Sequence, residues 1–301
     1  MRMSIGCALL AMLLASGGAA AQTAAGSKAA PPAALATVEL VQLSASVERG
    51  KQLVPVGPGT ELREGDRINT GAQSRLLVRL ADGSYVSMGE KGSVFLDRVQ
   101  VRDGIFDAAI FVAEGAFRFS SGLVGRFAGK REVKVAVNNV TAGIRGTDFW
   151  GKSSPESDIV CVIEGKVEVT PPGERPFTLD EPLTYYTLEG NVSRPVASAP
   201  VERFREWAGE TGEQQGRGIA SRGGKWKITV ASPRKFGEAF EIYDTLRKAG
   251  HAAEIVPAKA GEDRIYGVRL ANFETEKDAK AVVEALKGNA SLAKYQYKVG
   301  M

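Results

Sequence analysis

Two different patterns of apolar and polar residues divide the chain. From about residue 38 to residue 195, apolar and polar residues alternate in short runs separated by glycine-containing turns, as in SRLLVRLADGSYVSMGEKGSVFL. Alternation with a period of two is typical of half-buried β-strands, and Ala81-Asp82-Gly83-Ser84 fits the turn of a hairpin. These runs lack helical periodicity over three turns, so we predict an all-β domain over residues 38–195.

The second pattern lies in the last 77 residues and occurs twice. KITVASPRKF, from Lys227, and GVRLANFETE, from Gly267, share their apolar positions and lie forty positions apart. Each copy is followed by an apolar stripe at helical spacing. The stripes consist of Ala239, Ile242, Tyr243 and Leu246, and of Ala279, Val282, Val283 and Leu286.

These stripes predict helices over about 236–249 and 275–287. Gly250 and Gly288 are expected to end them, and Thr275 with Asp278 is expected to cap the second. The resulting order of strand, helix, strand, strand, helix, strand predicts a small α+β domain of the ferredoxin-like (βαββαβ) type over residues 225–301.

A sheet that carries both helices on one side leaves its other face uncovered. Strand alternation directs Trp226, Ile228, Val230, Tyr266, Val268, Leu270, Tyr295, Tyr297 and Val299 towards the helices. The uncovered face then receives polar and cationic side chains, which suit a polar polymer laid across a rigid platform. The candidate binding residues are Lys227, Thr229, Ser232, Arg269, Gln296 and Lys298. The alternative is a sheet face that is merely solvated.

The remaining segments predict export and a joint between the domains. Arg2, an apolar run over residues 4–14 and Ala19-x-Ala21 form the pattern of a signal peptide cleaved near Ala21, which predicts a periplasmic protein. The apolar run is too short for a bilayer of about 30 Å, and we expect no transmembrane anchor in the mature chain. Residues 22–37 are predicted to be a flexible lead-in. Residues 196–224 are predicted to be a short helix, with a stripe of Val201, Phe204 and Trp207, and a Gly-rich linker.

Reactive side chains are sparse. After export, Cys161 is the only cysteine and His251 is the only histidine, which excludes an intrachain disulfide and leaves no basis for a metal site or a cofactor. We expect Cys161 to be a buried, inert thiol, with an intermolecular bridge or a reactive thiol as the alternative. Spacing singles out no carboxylate pair of the glycosidase kind, so we do not expect an enzyme. The chain has a net charge of +4, and residues 225–301 carry 14 Lys and Arg against 10 Asp and Glu.

The stretch from Lys225 to Val299 resembles a SPOR domain. ITVASP follows the family's first-strand pattern, hydrophobic-Gln-hydrophobic-Gly-Ser-Phe, but Thr229 stands at the Gln position and Pro233 at the Phe position. VRLANF preserves four positions of the third-strand pattern V-x-V-G-P-F, at Val268, Arg269, Leu270 and Phe273. SPOR domains bind peptidoglycan glycan strands that lack stem peptides, so the resemblance implies that ligand and a role at the division septum. Because threonine has a shorter reach and fewer donors than glutamine, this departure bears on the expected glycan affinity more than on the expected fold.

The β-rich region resembles a FecR domain over about residues 48–188. The family pattern G-D-x-I-x-T-G, then D-G-S, V-x-G-T-x-F and E-G-x-V-x-V, is matched by Gly65, Asp66, Ile68, Thr70, Gly71, Asp82, Gly83, Ser84, Gly146, Thr147, Phe149, Glu164, Gly165 and Val167. Known members are inner-membrane regulators that carry iron-siderophore signals to a sigma factor, through a cytoplasmic segment and a membrane helix. The sequence predicts neither, so the resemblance implies a periplasmic sensing or scaffolding module with an envelope protein as partner.

Within that domain, most candidate residues have a structural explanation. We expect Arg145 and Asp148 to form an ion pair that holds the RGTD turn, Trp150 to pack in the core, and the turn glycines to adopt positive φ angles. Ligand binding by the first two, or stacking of Trp150 on a sugar, is the alternative.

The leading hypothesis is a non-catalytic peptidoglycan-binding protein. The alternative is a periplasmic interaction or signalling protein in which neither domain binds glycan, and the Thr229 departure favours this alternative slightly. Nucleic acid is not an expected partner, because RNA-binding sheets of this topology stack bases on exposed aromatic residues and the outward positions here hold none.

Overall fold

The N-terminal region is built from β-strands, as the alternating pattern predicts. In the computed structural model, which describes residues 34–121 and 130–301, they are β1 Ala36–Gln42, β2 Ala45–Arg49, β3 Gln52–Pro55, β4 Glu61–Leu62, β5 Arg67–Thr70, β6 Arg75–Leu80, β7 Tyr85–Met88, β8 Ser93–Arg102, β9 Ile105–Ser120, β10 Lys130–Val137, β11 Val140–Ser153, β12 Ser157–Thr170, β13 Phe177–Leu179, β14 Thr184–Glu189, β15 Val192–Ser193 and β16 Ala197–Ser198. The predicted signal peptide and most of the predicted lead-in lie outside the described residues. Within the described ranges, no helix has the length and apolarity needed to cross a membrane.

Strand β9 organises this region. Its first half pairs antiparallel with β8 and parallel with β10, and its second half pairs antiparallel with β7 and β11. Alternate side chains of β9 point into one large apolar core, where Phe106, Phe117 and Phe119 are fully buried. The buried positions of β9 change from even to odd numbers between Val112 and Phe117, where Gly115 has a φ of +89°, so the strand continues through a local irregularity. Each fully buried apolar side chain contributes about 1.5–3 kcal/mol.

Two glycines of the turn motifs have a conformational role. The predicted hairpin joins β6 to β7, and its Gly83 has a φ of +88°, which other residues rarely adopt. Gly165 has a φ of +86°, and a Cβ there would lie 2.5 Å from the carbonyl oxygen of Gly146. The prediction of positive φ angles is confirmed at both glycines.

The segment between the domains is more ordered than a linker. Helix α1, Val201–Thr211, is followed by strand β17, Ile219–Ser221, inside the segment predicted to be a Gly-rich linker. Strand β17 pairs with β1 and, at Ala220, with Phe273 of the C-terminal sheet. The carboxylate of Asp278 accepts hydrogen bonds from the amides of Gly218 and Ile219, at 3.1 and 2.9 Å. The segment therefore joins the two sheets through backbone pairing.

The C-terminal elements are β18 Trp226–Ala231, α2 Phe236–Lys248, β19 Glu254–Ala260, β20 Asp263–Phe273, α3 Glu276–Lys287 and β21 Lys298–Gly300. The strands pair antiparallel in the order β19–β20–β18–β21. The buried residues of both predicted helical stripes pack against the inner side of this sheet, and the predicted cap is present, with Thr275 Oγ1 accepting from the amide of Asp278.

The assignment of inner residues is confirmed, whereas the extent of the last strand was wrong. Ile228, Val230, Val268 and Leu270 are buried, and Trp226, Tyr266, Tyr295, Tyr297 and Val299 pack against the same core. Tyr295 and Tyr297 lie before β21, which spans only three residues. Their side chains reach the core from a turn, where the Tyr297 hydroxyl donates to the carbonyl oxygen of Leu292 at 2.7 Å.

Candidate functional site

A row of polar residues crosses the outer face of the C-terminal sheet. Thr229 in β18 lies opposite Lys298 in β21 on one side and opposite Arg269 in β20 on the other. Arg269 in turn lies opposite Glu254 in β19. Because directly opposed residues of antiparallel strands point to the same side, Lys298, Thr229, Arg269 and Glu254 form one continuous row. The neighbouring residues Ile228, Leu270 and Val299 point the other way, into the core.

The row brings together three of the six predicted site residues. Lys298 is exposed, whereas Thr229 and Arg269 are half-buried. With strands about 4.8 Å apart, the Cα atoms of Lys298 and Arg269 lie about 10 Å from each other, with Thr229 between them. The centre of the face therefore presents one hydroxyl flanked by two cations.

The other three predicted residues lie around the row. Lys227 lies opposite Gly300 on the same pair of strands. It is two residues before Thr229 in β18 and therefore on the same side of the sheet. Ser232 is exposed just after β18, and Gln296 is exposed before β21 begins. Gln296 is therefore presented from a turn and not from a strand of the sheet.

Glu254 is the member of the row that sequence reasoning missed. Its carboxylate Oε1 lies 3.7 Å from Nε of Arg269, and its side chain is 52% exposed. This distance is too long for a good hydrogen bond. Among the described residues, Nε of Arg269 is shielded from solvent and has no hydrogen-bond partner. The guanidinium group is thus held on the face with donors that the protein leaves free.

Residues of the turn between β1 and β2 contact the C-terminal domain. Leu43, from the turn between β1 and β2, packs against the C-terminal core, and a Cβ on Gly250 would lie 3.5 Å from Ser44. Burial lowers the pKa of His251 to about 4, and the nearby backbone of Leu43 acts in the opposite direction. His251 is therefore part of the domain interface and stays neutral at physiological pH.

The polar residues of the β-domain motif are tied internally. Asp66 is 1% exposed, accepts two hydrogen bonds from Arg49 at 2.7 and 2.6 Å, and raises the pKa of that guanidinium. Thr70 Oγ1 donates to the carbonyl oxygen of Gly89 at 2.6 Å. Asp82 is fully buried and accepts from the amide and the hydroxyl of Ser84 at 3.0 and 2.7 Å. These side chains hold turns and are not presented to a ligand.

The ion pair at the RGTD turn involves a residue that the sequence did not indicate. Asp148 accepts from Nε and Nη2 of Arg118 at 2.8 and 2.6 Å, and this bidentate pair raises the pKa of Arg118. Arg118 lies in β9, opposite Trp150 in the neighbouring strand. The side chain of Arg145, the predicted partner of Asp148, lies outside the described part of the structure.

Trp150 and Cys161 form a second, smaller core. Trp150 is fully buried and stacks on Trp207 of α1, with ring centroids 4.9 Å apart and an interplanar angle of 4°. Cys161 is a free, fully buried thiol, and burial raises its pKa to about 12. Trp207 thus anchors the predicted helix α1 on the β-domain, whereas Val201 at the start of the same stripe is 47% exposed. A metal-binding group of three or more His, Cys, Asp or Glu residues is absent from residues 34–121 and 130–301.

Comparison with known proteins identifies the two domains. The family model described as FecR protein matches residues 66–168, and the model described as SPOR domain matches residues 223–296. The chain therefore contains a FecR domain followed by a SPOR domain, as predicted. SPOR is a peptidoglycan-binding domain, FecR is a signalling module, and neither family is catalytic.

Similarity to individual proteins is low. No curated protein matches the chain. Two crystal structures of a protein described as an anti-sigma factor, from Parabacteroides distasonis, are 20% identical to this chain. Both alignments cover 75% of this chain, with 92% and 91% of the respective structures, and both have a TM-score of 0.38.

Proposed function

We propose that the protein is a non-catalytic periplasmic protein whose SPOR domain binds denuded glycan strands of peptidoglycan. The observation that carries the proposal is the row of Lys298, Thr229 and Arg269 on the outer face of the sheet, since glycan offers hydroxyl and acetamido groups to such donors. The order β19–β20–β18–β21, with both helices against one side of the sheet, supports the ferredoxin-like assignment for this domain.

The FecR domain serves, in this proposal, as a sensing or scaffolding module that contacts an envelope protein. Its motif residues Asp66, Thr70 and Asp82 are internally hydrogen-bonded, which leaves partner binding to other parts of its surface. Strand β17 pairs with strands of both domains, so the glycan face and the FecR domain are held together rather than tethered loosely. This arrangement suits a protein that presents a partner at the cell wall, and we propose the division septum as the place.

The test is co-sedimentation of the full exported chain with peptidoglycan sacculi that an amidase has stripped of stem peptides. The wild-type protein should sediment with treated sacculi, and the double variant Thr229→Ala/Arg269→Ala should remain largely in solution. Equal sedimentation of the two proteins would show that this face does not carry the binding. Localisation of a fluorescent fusion of the full chain in dividing cells tests the septal role.

A second candidate is a protein-interaction role in which neither domain binds glycan, and Thr229 at the family's Gln position favours it. Competition separates the two functions. Soluble denuded glycan should displace the protein from sacculi if the SPOR domain binds glycan. It should leave the bound fraction unchanged if sedimentation depends on a protein partner.

A further inference from the structure

The charges along the row indicate which chemical group of the glycan is recognised. Lys298 and Arg269 flank Thr229 on the same side of the sheet, and Nε of Arg269 is shielded from solvent without a hydrogen-bond partner among the described residues. The Arg269 side chain as a whole is 23% exposed, and a guanidinium group has five N–H donors that match carboxylate geometry, so its exposed donors can bind an incoming carboxylate. A neutral sugar hydroxyl would satisfy a donor but not the charge.

Denuded and peptide-bearing glycan strands differ at a carboxyl group. In peptidoglycan, the stem peptide is attached by an amide bond to the carboxyl of a lactyl ether on alternate sugars. Hydrolysis of that amide by water releases the peptide amine and leaves a free carboxylate on the sugar. The denuded strand therefore carries a regular series of negative charges close to the sugar rings. The strand that still bears stem peptides has neutral amides at these positions.

We propose that the Lys298–Thr229–Arg269 row selects denuded strands by binding this exposed sugar carboxylate, an inference that rests on the proposed glycan-binding function. Lys298 and Arg269 supply the charge, and Thr229 supplies a hydroxyl between them that can donate or accept. The net charge of +4 on residues 225–301 adds a favourable long-range attraction. Selectivity for denuded strands then comes from charge.

Glu254 has the opposite role at the end of the row. Its carboxylate lies 3.7 Å from Nε of Arg269 and is half exposed, so it competes with a ligand carboxylate for the same guanidinium. Removing its charge should strengthen binding, whereas removing the charge of Arg269 should weaken it. This opposite pair of effects is specific to recognition of an anion.

The experiment measures binding of the full exported chain to three soluble glycans by titration calorimetry. These are denuded fragments, the same fragments with their carboxyls converted to methylamides, and neutral chitin oligosaccharides of similar length. We expect the denuded fragments to bind about tenfold more tightly than the other two, the usual contribution of a charge-assisted hydrogen bond. This difference should shrink as the salt concentration rises.

Three single variants sharpen the test. Arg269→Gln or Lys298→Gln should bring the affinity for denuded fragments close to that for methylamidated fragments, and Glu254→Gln should raise it. Lys280→Gln, which removes a cation paired with Glu276 on helix α3, is the matched control for the loss of one positive charge and should change the three affinities far less. Equal wild-type affinity for all three glycans would overturn the carboxylate inference while leaving glycan binding in place. Binding to none of the three would overturn the proposed function itself.

Discussion

The two domains use their polar residues in opposite ways. In the FecR domain, motif residues such as Asp66 and Asp82 point inwards, and hydrogen bonds within the domain occupy them. In the SPOR domain, Lys298, Thr229 and Arg269 lie in a row on an outward face, and Arg269 retains unused donors. The FecR motif, which is matched at more positions, thus specifies turns. The SPOR motif, which is matched at fewer positions, specifies a surface. The number of motif residues that a domain matches therefore does not indicate where that domain binds a ligand.

The largest effects are expected in the helical layer of the SPOR domain. Leu246 is fully buried and Leu286 is 1% exposed, so truncation of either to alanine should lower the free energy of unfolding by about 2–5 kcal/mol. Urea denaturation measures the change. Leu53→Ala, at a leucine that is 55% exposed, is the matched control and should have little effect. Equal losses at Leu53 and Leu246 would contradict the placement of the core.

The domain interface should make stability depend on pH. The pKa of His251 is lowered to about 4 by burial, against 6.5 in an unfolded chain, so the unfolded state binds more protons between these values. Stability should therefore rise from pH 4 to pH 6.5, by about 3 kcal/mol from this residue, and level off above. Thermal unfolding of the wild type and His251→Gln across this range measures the difference. Parallel curves for the two proteins would rule out this contribution.

The joint between the domains should depend on one buried carboxylate. Asp278→Ala leaves the amides of Gly218 and Ile219 without their acceptor and should cost about 1–3 kcal/mol. Hydrogen exchange of these two amides should accelerate. Glu276→Ala, at an exposed acid in the same helix, serves as the control. Unchanged exchange at residues 218 and 219 in the Asp278 variant would mean that β17 is held by other contacts.

The smallest effect on stability is expected on the outer face. Replacing Thr229 and Arg269 together by alanine should change the free energy of unfolding by about 0.5 kcal/mol or less, because neither side chain belongs to the apolar core. The same variant should lose most of its affinity for denuded glycan. A large drop in melting temperature would show that Thr229 and Arg269 lie on the packed face of the sheet and not on its outer face.

Local periodicity predicted the elements of the molecule better than their pairing. The duplicated pattern located both helices, the cap at Thr275 and the inner residues of the sheet, since each depends on neighbours within a few positions. The sequence pattern did not indicate Glu254, because its position beside Arg269 depends on the register between β19 and β20. Arg118 was missed for the same reason, since β9 brings it beside Asp148 from thirty residues away.

Glycine content misled the interpretation of the segment between the domains. A polar, Gly-rich stretch is typical of a flexible linker. Here Gly218 has a φ of +99°, and a Cβ would lie 2.8 Å from the side chain of Leu43, so the glycine permits close approach to the neighbouring domain. The sequence carries no local signal for this contact, which exists only once both sheets have formed.

The most direct test of the central claim is amide chemical-shift mapping on the full exported chain during titration with soluble denuded glycan. We expect the largest shifts at residues 227–232, 267–270 and 298–300, the strands and strand ends that carry the outer face. Largest shifts on helices α2 and α3 or within the FecR domain would contradict this claim, as would the absence of any shift at saturating glycan.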